Sequence, residues 1–184
     1  MSEYKLTGFI DAQGRIVNTE FRKAYENGGL FLFDEIDASF PQAILAFNAA
    51  LANDFMDFPD KKVPKHRNFY CIAAANTFGT GADRQYIGRN QLDAASLDRF
   101  ITMNWEIDER LERELANNDE WVNYVQKARK AASKIGERHI ISPRASMQGA
   151  DLLRIGIDRK EVEKDVVWKG LDASRIEMIK NNMG

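Results

Sequence analysis

The sequence predicts an α/β core with a parallel sheet, followed by an all-helical segment. Three observations carry that expectation. Two short runs, 30–33 and 69–75, are apolar without interruption and stop abruptly on polar residues, as strands buried on both faces of a parallel sheet do. Between them lies enough chain for the helical crossover that parallel neighbours need. Beyond Asp108 the pattern changes, and apolar residues recur at helical spacing through to the end of the sequence.

The elements follow in order. Phe9-Ile10 and Ile16-Val17 flank the turn residues Asp11-Ala12-Gln13-Gly14 and read as a hairpin. A short helix is expected over 20–27, with Asn18-Thr19 offering caps and Gly28-Gly29 closing it. The strand 30–33 ends at Asp34, Glu35 and Asp37. Ser39 and Pro41 open a helix that runs to about residue 53, with Ile44, Leu45, Phe47 and Leu51 as its core stripe. Residues 55–65 carry Pro59, Pro64 and Asp60-Lys61-Lys62 and read as a loop. The strand 69–75 stops at Asn76, and Gly79 and Gly81 follow. A short helix over 93–99 and a strand over 101–107 complete the first half.

The second half, 108–184, reads as helices over 110–116, 120–137, 143–156, 160–168 and 173–181. In the longest, Trp121, Val125, Ala128, Ala132 and Ile135 share one face. The expected division is therefore 1–107 for the α/β core and 108–184 for the helical part.

Composition excludes several function classes. Hydrophobic residues make up 44% and charged residues 29% of the 184, an ordinary globular balance. A formal net charge of -2 supplies no basic field for nucleic acid. Cys71 is the only cysteine, so neither an intrachain disulfide nor a cysteine metal cluster can form. No apolar run approaches the ~20 residues that span a bilayer, and the start MSEYKLTG has no signal-peptide core. A cytoplasmic protein without membrane contact is expected. His66 and His139 lack ligand spacing, and Trp105, Trp121 and Trp168 read as packing residues.

The chemistry resides at the strand ends. Four apolar residues followed by Asp34-Glu35 form the Walker B pattern, which fixes an acidic pair where open α/β sheets bind ligands. One such carboxylate can hold Mg²⁺ through water, and the next can orient or deprotonate an attacking water. An Asn at the end of the second strand can hydrogen-bond a phosphate and that water; equally, it can end a strand through local bonds. Arg99 projects from a short apolar-faced helix. Arg144 opens a helix, a place where the helix dipole prefers an anion.

Together GGLFLFDEIDAS, IAAANTFGTG, NQLDAASLDRF and SPRAS resemble the AAA+ ATPase family, in particular its MoxR-like and dynein-related branch. The resemblance covers nearly the whole chain. It implies part of a P-loop NTPase parallel sheet with flanking helices, followed by a helical lid, and it implies ATP and Mg²⁺ as cofactors. Asp34 matches the magnesium-associated carboxylate and Glu35 the base. Asn76 matches the sensor 1 position, Arg99 the arginine finger that reaches a neighbouring subunit, and Arg144 sensor 2. Arg89 is a second candidate for a contact in trans, and the hairpin at 9–17 resembles an insertion that faces the central channel. Implied partners are other copies of the chain, as a hexameric ring, and a protein substrate for remodelling or for insertion of a metal or cofactor. Two alternatives stand beside that reading: a non-catalytic interaction module derived from the same fold, and a nucleic-acid-directed motor.

One departure matters. No GxxxxGK[ST] occurs in the sequence. That loop supplies the amides, the Lys and the hydroxyl that grip phosphates and Mg²⁺. The resemblance places it upstream of residue 1, so a truncation or a mis-assigned start with some ~60 residues absent is expected, to reach ordinary domain size, with natural loss of the loop as the alternative. Weak or absent ATP binding by the chain alone follows.

Overall fold

The structure is a computed structural model that describes residues 2–82 and 86–184. It is a mixed α/β protein with a small parallel sheet and many helices, and it divides into two compact units, Met1–Thr102 and Met103–Gly184.

The first unit opens with α1 (Glu3–Thr7) and the antiparallel pair β1 (Phe9–Ile10) and β2 (Ile16–Val17). Asp11 shapes the hairpin turn: its Oδ1 accepts from the backbone N–H groups of Gln13 and Arg15 at 2.9 and 2.8 Å. Those bonds, led by the one from Arg15, hold its carboxyl below the usual range. Helix α2 (Glu20–Asn27) begins at Thr19, whose hydroxyl accepts from Arg22 N, and ends at Gly28. Gly28 has φ +85°, and a Cβ there would lie 2.5 Å from the His66 ring, so the position requires glycine.

Strand β3 (Gly29–Phe33) pairs in parallel with a later strand, here β6 (Phe69–Ala73), from Gly29↔Phe69 to Phe33↔Ala73. Helix α3 (Pro41–Ala52), started by Pro41 at its first position, makes the crossover. Phe31 and Phe33 meet Phe21 of α2 and Phe47 of α3 edge-on at 5.0 and 4.7 Å, so both helices cover one face of the sheet. The expectation of strands buried on both faces is corrected. Leu30, Leu32, Tyr70 and Ile72 point the other way and are 63%, 54%, 64% and 52% exposed. The α3 stripe is also narrower than expected, because Leu45 faces solvent.

Residues 55–65 are not a plain loop. They form β4 (Phe55–Asp57) and β5 (Lys62–Pro64), an antiparallel pair whose turn is tied to α2 by Arg22, which grips Asp60 through two bonds of 2.6 and 2.8 Å. Helix α4 (Ala94–Leu97) starts on Asp93, whose Oδ1 accepts from Ser96 N at 2.7 Å. The strand expected over 101–107 is absent. This stretch is irregular, with Ile101 and Met103 strongly exposed and Trp105 89% exposed, so Trp105 is not a packing residue. Alternating apolar residues make a strand only where an edge accepts them, and nothing described here pairs with this one.

The second unit is all helical: α5 (Glu109–Ala116), α6 (Asp119–Lys134), α7 (Pro143–Arg154), α8 (Arg159–Val162) leading into a π turn over Glu163–Val167, and α9 (Ala173–Lys180). Asp108, Asn118, Asp158 and Asp172 each cap the helix that follows. Trp121, Val122, Val125, Ala128 and Ala132 of α6 form the buried stripe, packed with Ile141, Val162, Trp168 and Ile179. Trp121 donates Nε1–H to the Ala145 carbonyl at 3.1 Å, and Gly149 lets the indole approach, since a Cβ there would fall 2.3 Å from the ring. A buried carboxylate, Glu112, accepts from Arg129 at 2.6 and 2.9 Å and from Ser146 at 2.6 Å.

Candidate active site

The parallel register carries β3 and β6 out of the sheet side by side, and the site is built at their carboxyl ends. Past Phe33 the chain turns sharply. Glu35 takes a left-handed backbone conformation (φ 52°, ψ 47°), uncommon for a residue with a side chain, and a 3₁₀ turn over Ile36–Ala38 follows. Two backbone bonds fasten this turn to the end of β6: Ala74 N donates to Phe33 O, and Ile36 N to Ala74 O, each at 3.0 Å.

Asp34 and Glu35 both face solvent. Asp34 Oδ1 accepts from Glu35 N at 2.9 Å, and neither Asp34 oxygen meets a cation among the described residues. Asn76 stands just past β6, exposed and without a side-chain hydrogen bond among the described residues. The fold thus gathers Asp34, Glu35 and Asn76 at one edge of one sheet.

Asp37 is a member of this cluster that the sequence did not reveal; it reads there only as one of the polar residues that end the strand 30–33. Its side chain is 0% exposed. Its Oδ2 accepts from Thr77 N at 3.0 Å and Thr77 Oγ1 at 2.9 Å, and its Oδ1 accepts from Arg89 Nη1 at 3.1 Å. A buried carboxylate is tolerated only when paired and fully hydrogen-bonded, and these three donors satisfy it. It joins the end of β3, the segment after β6 and the loop around residue 89. In the sequence only its place after the Asp34-Glu35 pair marks it, and that does not show burial.

Arg99 is not part of this gathering. It follows α4, faces solvent and donates from Nη1 to the Ala95 carbonyl. With Lys65, Phe69, Cys71 and Phe100 it lines an open cavity of 360 Å³ beside the amino-terminal part of β6. At ~3.3 Å per strand residue, roughly 13 Å of β6 separates that end from the carboxylates. Arg144 belongs to the second unit. It is the second residue of α7, exposed, and without an ion pair among the described residues.

Among the described residues no three His, Cys, Asp or Glu side chains gather as a metal cage, and no helix is long and apolar enough to cross a membrane. Neither His66 nor His139 is fully exposed: His66 Nδ1 accepts from Asn68 N at 3.1 Å, and His139 Nε2 lies 2.5 Å from Val167 O. No family model matches the chain, and no curated protein matches it.

Proposed function

We propose that this chain supplies the water-activating half of a AAA+ nucleotide site in a ring-forming ATPase that remodels a protein partner or inserts a metal or cofactor. One observation carries the reading. Two exposed carboxylates, Asp34 and Glu35, leave β3 beside Asn76 at the end of its parallel neighbour, where open α/β sheets bind their ligands.

Each residue then has a task. Glu35 takes or orients the proton of the attacking water, and Asn76 holds that water or a terminal phosphate by hydrogen bonds. Asp34, a single exposed carboxylate outside any protein cage, suits Mg²⁺, which keeps several waters and is shared with phosphates. When bound, that ion neutralises charge on the phosphates. Arg99, remote from Asp34 and Glu35 of its own chain, acts in a neighbour's site, and Arg144 senses nucleotide from the helical unit. No GxxxxGK[ST] loop that would grip the phosphates occurs in these 184 residues. The uncovered apolar sheet face agrees with a core completed by further structure, because parallel sheets are ordinarily covered on both faces.

The test is Glu35→Gln in an assembly that includes a phosphate-binding loop. Turnover should fall ~10²–10⁴-fold, the range of general-base loss, while ATP affinity is kept. Unchanged hydrolysis sinks the role given to Glu35. Titration calorimetry on the chain alone should show weak ATP binding at best, and tight Mg²⁺-dependent binding contradicts the missing grip.

A further inference from the structure

Arg89 has no task in the reading above, yet it is the most constrained cation of the cluster. Its side chain is 13% exposed. Nη1 donates to Asp37 Oδ1 at 3.1 Å, and Nη2 donates to Glu35 Oε1 at 3.3 Å. The loop that carries it is pinned to the turn that carries Asp37. Asn90 N donates to the Asp37 carbonyl at 2.6 Å, and Asn90 Nδ2 donates to the Ser39 carbonyl at 2.7 Å.

The chemistry of the guanidinium decides what this does. Its donors lie in a rigid plane, so fixing one nitrogen on a carboxylate fixes the direction of the others. Asp37 is immobile, buried and held by both donors of Thr77. With Nη1 fixed there, Nη2 is directed at Glu35 Oε1, which accepts from it. Glu35 is 60% exposed and has no other side-chain partner among the described residues. Burial alone would lower the Arg89 pKa, but the hydrogen bond to Glu35 and the charge of Asp37 outweigh it and raise it.

We infer that Arg89 is a positioning residue acting within its own subunit: anchored on Asp37, it holds the Glu35 carboxylate in one orientation at the carboxyl edge of β3. This replaces the expectation of a contact in trans. A guanidinium engaged by two carboxylates of its own chain is not free to reach a neighbour. The functional part rests on Glu35 being the base; the contact does not.

Two measurements separate the parts. In the chain as it stands, nitrogen NMR of the guanidinium should show resolved, slowly rotating Nη groups at Arg89 and averaged ones at the exposed Arg144. Glu35→Gln should shift one Arg89 Nη signal and spare the other. Averaged Nη signals at Arg89, or no response to Glu35→Gln, overturn the inference whatever the fate of the nucleotide reading. In an assembly that hydrolyses ATP, Arg89→Gln should lower kcat roughly 10- to 100-fold with KM for ATP kept, the scale of a misplaced reacting group. Arg89→Lys should remain impaired, because one ammonium cannot span both carboxylates; full activity in that variant overturns positioning. Mixed Arg89→Gln and Glu35→Gln subunits should recover nothing, since every site lacks either the glutamate or its holder. Recovery in the mixture overturns action within one subunit.

Discussion

Replacing Asp37 with Ala should unfold the first unit far more readily, and the size of the effect follows from its surroundings. The carboxylate is fully buried and accepts from Thr77 N, Thr77 Oγ1 and Arg89 Nη1. Removing one partner of a buried ion pair costs about 3–5 kcal/mol, because the other charge is left uncompensated. Arg89 keeps Glu35 and some access to water, which moves the expectation to the lower end, about 3 kcal/mol. The Thr77 N–H loses its acceptor as well, a further loss of about 1 kcal/mol or more if no water reaches it. For a unit of about 100 residues each kcal/mol displaces Tm by about 4–8 °C, so the ion-pair loss alone is expected to lower it by roughly 12–24 °C. Differential scanning calorimetry reads it, and where the two units melt separately only the transition of Met1–Thr102 should move. Asp37→Asn keeps the shape and an oxygen for Thr77, so its loss should be smaller. A fall of less than about 4 °C in Asp37→Ala, worth about 1 kcal/mol, refutes the anchoring argument.

Two further outcomes are expected. Burial alone would raise the Glu112 pKa, but hydrogen bonds from Arg129, Ser146 and Gln126 and the charge of Arg129 outweigh it and hold the carboxyl below its ordinary range. Stability from this group is therefore complete above the unfolded pKa, about 4.3, and is lost as pH falls through the lower folded value. Glu112→Gln should cost about 3 kcal/mol at pH 7, with a gap to the parent chain in urea midpoint that closes in acid; a gap independent of pH contradicts this. Burial pushes the Cys71 thiol up to about 12. Its thiolate fraction at pH 8 is then about 10⁻⁴, so aromatic disulfide reagents should label the folded chain slowly and the denatured chain at once. Native labelling at the rate of free cysteine excludes that environment.

Much of the fold was legible because its signals are local. Thr19 and Gly28 bracket α2 and Asp11 to Gly14 turn the hairpin through bonds within a few residues, while Pro41 starts α3 through its fixed backbone angle. What failed depends on partners distant in sequence. The alternation of Ile101, Met103, Trp105 and Ile107 looks like a strand, but a strand exists only beside an edge that accepts it. The pair β4 and β5 was hidden by Pro59, which lies in the turn between them, and by Pro64, which an edge strand tolerates. In the candidate site, Asp34, Glu35 and Asn76 were legible from runs ending on polar residues. The burial of Asp37 was not, since it depends on Thr77 and Arg89, 40 and 52 positions away.

On the role proposed for Glu35, its left-handed backbone sets a choice between sturdiness and chemistry. At φ 52° and ψ 47° a glycine or an asparagine would sit with less strain, by about 1 kcal/mol. A sequence optimised only for folding would replace this glutamate, and a stability-guided redesign would be led to the same change. Such a redesign would gain a sturdier turn and delete the one carboxylate that Arg89 holds in place. Thermal robustness gained at this position is therefore a poor guide to a working protein.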